Sequence, residues 1–188
     1  MAITLVVTEC PDHDGAATKF KAGERLTRTA AVEVEVERPD SPDGRWCMQE
    51  YFLELAARFD TGFDPIKSNP ASDQDLISPR GFFVVARIAG RPVGCGALKR
   101  KDATTGEIKR MWTASSARGR GVAREVLHKL EAIARELGLT TLQLETNRSL
   151  TEAQALYRKE GYLEVSAFND EPYAHHWFQK CLPSVCRG

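Results

Sequence analysis

The sequence lacks the features that would classify it at a glance. Its 188 residues hold 5 cysteines, an odd number, and no two of them form a CxxC pair. A disulfide framework needs paired cysteines and a structural zinc site needs closely spaced ones. Neither is expected, and a reducing cytoplasm is the default setting. No apolar run approaches the ~20 residues of a membrane-spanning helix. ITLVV near the start is too short, and lacks the basic flank, for a secretory signal. Net charge is missing too, since 26 Lys+Arg balance 26 Asp+Glu. That balance argues against a protein devoted to nucleic acid or to an anionic membrane. Internal repeats and low-complexity tracts are also absent. What remains is an ordinary composition and a chain long enough for one well-buried core. It reads as one domain over residues 30–182, preceded by an extension of unclear structure (1–29) and followed by a short tail (183–188).

Within that domain the hydrophobic pattern is legible. AVEVEVE alternates Val32, Val34 and Val36 against glutamates, as a half-buried strand does. Ser41-Pro42 is a helix start, and Trp46, Phe52, Leu55, Ala56 and Phe59 recur behind it at helical spacing. A turn-rich stretch follows, with a short helical turn expected at Asp73–Ile77. FFVVARI and VGCGALKR flank AGRP as a hairpin, and EIKRMWT supplies the next antiparallel strand. A helix burying Val122, Val126, Leu127, Leu130, Ile133, Ala134 and Leu137 leads to TTLQLET. A right-handed crossover through that helix makes EIKRMWT and TTLQLET parallel. TEAQALYRKEG is a shorter helix, and YLEVSAF and YAHHWFQKCL close the chain as a strand pair. The fold class is α/β with a mixed sheet, antiparallel at first and parallel at the central crossover.

The head of the central helix is chemically odd. Arg118-Gly119-Arg120-Gly121 places cations and poor helix formers where the helix dipole favours an anion. Glycines there let a ligand approach the unsatisfied N–H groups of the first turn, and the arginines suit phosphate oxygens. A pyrophosphate is the natural guest. The Walker loop is excluded because no Lys-Ser or Lys-Thr follows the second glycine. The dinucleotide fingerprint GxGxxG is matched at Gly119 and Gly121, but Arg124 replaces its third glycine. The unit also sits late in the chain, after an antiparallel hairpin. A nicotinamide dinucleotide protein is therefore the weaker alternative.

ARGRGVA resembles the Arg/Gln-x-x-Gly-x-Gly/Ala loop of the GNAT superfamily of N-acetyltransferases, with Arg118, Gly121 and Ala123 on its motif positions. EAQALYRKEGY resembles the same family's second segment, with Ala153, Leu156, Tyr157, Gly161 and Tyr162 in register. The Asn that often opens that segment would fall at Leu150, and Asn147 stands nearby out of register. The resemblance implies a GNAT fold, a mostly antiparallel mixed sheet with a central, splayed parallel pair flanked by helices. It implies acetyl-CoA as acetyl donor, no metal, and transfer to a primary amine of a small molecule in a ternary complex. A non-catalytic acyl-CoA-binding domain of the same fold is the alternative. Met111, Trp112 and Thr113 would pair with the donor through their backbone, and Arg118, Gly119, Arg120, Gly121, Val122 and Ala123 would hold its pyrophosphate. Tyr157 would protonate the leaving sulfur, and Glu107 or Glu145 would serve as base. His175 and His176 are adjacent and so point to opposite strand faces, where a structural role is expected. Glu54, Asp60, Asp64 and Asp170 are acids suited to a cationic acceptor, and a homodimer through the outer strands is left open.

Overall fold

The computed structural model describes residues 30–68 and 71–183, so the ITLVV strand and the residues after 183 lie outside the described part. The elements run β1 (Val32–Glu37), α1 (Pro42–Arg58), a 3-10 turn (Asp73–Leu76), β2 (Gly81–Ile88), β3 (Arg91–Arg100) and β4 (Thr105–Thr113). They continue with a second 3-10 turn (Ser115–Ala117), α2 (Val122–Glu136), β5 (Thr141–Thr146), α3 (Thr151–Lys159), β6 (Leu163–Val165) and β7 (His176–Cys181). Seven strands form one sheet in the order β1-β2-β3-β4-β5-β7-β6. Only β4 and β5 pair in parallel, and all other neighbours are antiparallel. A doubly wound dinucleotide fold, which requires a mostly parallel sheet, is excluded by this order.

Local chemistry explains the boundaries. Ser41 caps α1, its hydroxyl accepting from Gly44 N–H at 3.0 Å, and Pro42 occupies the first helical position, where no N–H is needed. Helix α2 ends where Gly138 takes a left-handed φ of 76°, and its N–H bonds back to Arg135 O. The apolar stripe of α2 packs on one sheet face with Leu142, Leu144, Tyr157 and Phe178, and Leu137 is only partly buried. On the other face Cys47, Leu76, Phe83, Val85, Cys95, Ala97 and Trp112 form a smaller cluster under α1.

Two expectations are corrected. The buried residues of α1 are Gly44, Cys47 and Leu55, with half-buried Trp46, Met48 and Tyr51 packed on the same core, while Phe52 is half-buried and Ala56 is exposed. Part of this helix surface faces a cleft instead of the core. The final strand pair is also shorter than the alternation suggests. β6 ends at Val165, and residues 166–175 leave the sheet before β7 begins.

Gly96 marks how closely α2 lies on the sheet, since an added Cβ would sit 2.6 Å from Val126 Cγ1 and 2.8 Å from Met111 Sδ. Gly96→Ala is expected to lower the unfolding free energy by about 1–3 kcal/mol through overpacking. Equilibrium urea unfolding measures this as a lower midpoint at unchanged slope.

Candidate functional site

The cleft begins where β4 and β5 part. They share only the pairs Thr105–Thr141, Gly106–Leu142 and Glu107–Gln143, although β4 runs on to Thr113 and β5 to Thr146. A β-bulge in β4 accompanies the parting. Cys95 lies opposite Trp112 and Ala97 opposite Lys109, so Arg110 and Met111 share one position on β3. Arg110 takes a left-handed φ of 58°, uncommon for a residue with a side chain. A bulge bends its strand and raises its twist, which carries the end of β4 away from β5. It also turns Arg110 to the same side as its neighbour Lys109, and both line the cleft's inner chamber.

The outer chamber, about 380 Å³, lies between the end of β4, the start of α2, α1 and α3. Met111, Trp112, Thr113, Arg118, Gly119, Gly121, Val122 and Ala123 line it. Gly121 precedes α2 with φ 83° and offers no side-chain cap, and the helical bonds begin only with Glu125 N–H to Gly121 O at 3.0 Å. The N–H groups of Val122, Ala123 and Arg124 thus have no helical acceptor and stand beside the chamber. A Cβ at Gly119 or Gly121 would meet nothing within 4 Å, so the loop leaves open space where a ligand's oxygens would approach. Arg120 is not on this wall, and its Nη2 donates to Ala30 O at 3.3 Å.

Helix α1 supplies the opposite wall through residues the motifs do not reveal. Glu54 accepts from Arg118 Nη2 at 2.5 Å, from Trp112 Nε1 at 3.0 Å and from Arg58 Nη1 at 3.1 Å. Arg58 also grips Glu152 of α3 and donates to Ser149 O at 2.7 Å. The guanidinium of Arg58 holds the Glu152 carboxyl down at about 2. Glu54 is therefore a partner of the donor-side arginines, not a free acceptor-side acid. Asp60 is paired with Arg148 at 2.7 Å.

The inner chamber, about 110 Å³, adjoins the outer one, and Tyr51, Leu55, Met111, Leu150 and Ala153 line both. Tyr157 lies here, buried, and its burial raises the phenol well above its ordinary range, helped by Tyr51 and Glu145. Burial likewise pushes Tyr51 up to about 12, against the pull of Arg110. Glu145 bonds Lys109 through Oε1, while its Oε2 is buried with no partner among the described residues. Glu107 sits in the paired part of β4, buried, and lines neither chamber. Asn147 Nδ2 donates to Tyr173 O at 2.8 Å, tying β5's end to the segment that roofs the chamber. His176 pairs with Glu164 at 2.6 Å, and the backbone N–H of His175 bonds Thr146 O. Among the described residues no cluster of His, Cys, Asp and Glu is arranged to hold a metal.

A mixed sheet opened at one parallel pair, with a glycine-rich loop at its mouth, is the arrangement to set beside known proteins. Residues 49–162 match the acetyltransferase (GNAT) family, and the chain belongs to it. It is 40% identical over 111 residues to an IAA acetyltransferase of Azospirillum brasilense, covering 58% of this chain and 71% of that one. An uncharacterized N-acetyltransferase of Bacillus subtilis is 40% identical over 99 residues, covering 52% of this chain and 66% of that one. Among solved structures, a GNAT-family acetyltransferase of Staphylococcus aureus superposes with TM-score 0.67 at 18% identity, over 81% of this chain and 100% of that one. Another, from Elizabethkingia anophelis with acetyl-CoA bound, gives TM-score 0.56 at 19% identity, over 80% of this chain and 98% of that one. The protein is thus an acetyltransferase.

Cleft residues not singled out from sequence were Tyr51 and Arg58 on α1 and Arg110 in the bulge, and Glu54 was named only as an acid for a cationic acceptor. Their one signal was the spacing 51, 54, 55, 58, which puts polar groups on the inward stripe of α1.

Two outcomes test this geometry. At φ 83° a Cβ is strained, so Gly121→Ala is expected to cost about 1–2 kcal/mol in stability, read from denaturant midpoints. Glu152 has a folded pKa of about 2 against 4.5 for the free group. Its depressed pKa makes its pair with Arg58 stabilising above about pH 4.5, with the contribution lost as pH falls toward about 2. The stability gap between the native chain and Glu152→Gln, followed by urea unfolding, should close over that acidic window and stay constant above it.

Proposed function

We infer that the protein transfers an acetyl group from acetyl-CoA to a primary amine of a small molecule, directly, within a ternary complex. The observation that carries this reading is the pair of chambers meeting at a common wall, with the anion loop on one side and Tyr157 and Glu145 on the other. Their meeting lets two substrates be bound side by side, which direct transfer requires.

The residues of the outer chamber fit the donor. Arg118 and the N–H groups at the start of α2 would hold the pyrophosphate, and the backbone of Met111–Thr113 would hold the pantetheine arm. When bound, acetyl-CoA supplies an activated carbonyl and a thiol leaving group. The chain's own residues manage the protons and the charge. A main-chain N–H at the bulge near Met111 is the donor for the developing oxyanion. Tyr157, kept neutral by burial, carries the proton that a departing thiolate needs. Glu145 Oε2, buried and without a partner, is the acceptor for the proton the amine releases, while Lys109 fixes the other oxygen. Glu145 is preferred to Glu107 as base because Glu107 lines neither chamber. The free thiols at Cys47, Cys95 and Cys181 support a cytoplasmic setting.

Tyr157→Phe should lower kcat by about 10²-fold, the low end for loss of a general acid, and leave acetyl-CoA affinity unchanged. Thiol release and calorimetric binding measure the two. Binding of acetyl-CoA without thiol release across a broad amine panel would count against the enzyme reading of this site.

A further inference from the structure

We propose that the acceptor carries, beside its amine, a carboxylate that pairs with Arg110, so that the substrate is a small amino acid with an apolar or aromatic body. The proposal rests on the acetyl-transfer reading for the amine, but its evidence is separate and lies in the inner chamber.

Arg110 is half-buried and lines that chamber. One side of its guanidinium is covered, with Phe52 centred 4.8 Å away and Tyr51 5.6 Å away. Stacking of this kind leaves the edge, where the N–H groups lie, for an acceptor in the plane. On that edge Nη2 donates to Ala71 O at 3.3 Å, and Nε is buried with no acceptor among the described residues. No carboxylate among the described residues is paired with Arg110. The chamber's two acids are engaged by other groups. Glu145 holds Lys109, and Glu171 accepts from Ser68 Oγ at 3.0 Å and Tyr173 N–H at 3.3 Å. A half-buried cation without a counter-ion among the described residues, in a small chamber, calls for an anion on the molecule bound there. A carboxylate matches the guanidinium edge in shape and charge.

The backbone supports the same conclusion. Arg110 adopts φ 58°, a conformation that costs free energy for any residue with a Cβ. Without the bulge, residues 109 and 110 would face opposite sides of the sheet. The strained residue is therefore what brings the second cation into the chamber beside Lys109. Part of the remaining wall is aromatic. Phe59, Phe63 and Tyr173 pack with centroids 4.9–5.7 Å apart and all line the chamber. The result is one charged corner at Arg110, one basic oxygen at Glu145, and an aromatic wall.

The test compares matched acceptors, namely alanine, leucine and phenylalanine against their amides. Acetylation is followed by thiol release, and binding by calorimetry with CoA present. An α-amino amide has the more readily deprotonated amine, so intrinsic reactivity runs against the expected preference. The free acids should nevertheless show kcat/KM at least about tenfold higher, the difference lying in KM, which corresponds to about 1.4 kcal/mol. Arg110→Ala should bring the ratio close to one, and Arg110→Lys should restore part of it. Arg110→Gly removes the side chain at a φ that glycine adopts freely, and so covers the case in which the alanine variant does not fold. Equal or better turnover of the amides, or a preference that survives in both truncations, overturns the proposal and leaves acetyl transfer standing. Arg110-dependent binding of the free acids with no thiol release from any acceptor supports the carboxylate site and overturns acetyl transfer to them.

Discussion

Parallel strands hold together only while both keep the same course, and here β4 keeps company with β5 for three residue pairs before the bulge at Arg110–Met111 bends it away. The cleft and both its chambers follow from that parting. The β5-facing edge of Met111–Thr113, the glycine-rich loop after β4, and the wall formed by Tyr157 and Glu145 all surround the gap. An unparted pair would have filled the same space with ladder hydrogen bonds and left no cleft. The sheet tolerates the loss because β5 gains β7 as a full partner on its other side, with six residue pairs from Thr141–Cys181 to Thr146–His176.

The second organising element is Glu54. One carboxylate gathers Arg118, Trp112 and Arg58, and Arg58 passes the connection on to Glu152 and Ser149 of the α3 start. Helix α1 is thereby tied electrostatically to both motif-bearing segments across the cleft. The pairs with Arg118 and Glu152 are partly exposed, and such pairs stabilise only modestly, because solvent screens them. Their value lies in geometry. They fix the distance between the walls, and they hold Arg118 at a position where a phosphate would compete with Glu54 for the same guanidinium.

Much of this was legible in the sequence, and the exceptions have physical causes. The crossover helix α2 could be read because its buried residues, Glu131 apart, are apolar and its outward face is polar. The anion loop was legible because it breaks a rule, placing Arg118 where a helix prefers acids. Arg120 does not line the outer chamber, and its Nη2 donates to Ala30 O. Helix α1 was placed correctly at its N-cap but not in its rotation, because Tyr51, Glu54 and Arg58 face a cleft and carry no apolar signature. Arg110 read as one half of an ordinary basic doublet, and a bulge leaves no mark in hydrophobic alternation when the inserted residue is polar. Residues 166–168 and 173–175 were expected to lengthen the last two strands, yet they lie outside β6 and β7, and Tyr173 and Ala174 line the inner chamber with Glu171.

The short seam between β4 and β5 also has a mechanical meaning. It joins two plates, β1 to β4 on one side and β5, β7 and β6 on the other, along a line only three residue pairs long. Helix α1 packs on the first plate alone, whereas α2 reaches across the seam to Leu142, Leu144 and Phe178 of the second. The gape of the cleft is set like that of a pair of tongs, by the pivot and not by the arms. Each further pair zipped between β4 and β5 would narrow the mouth along its whole length, and each pair lost would widen it.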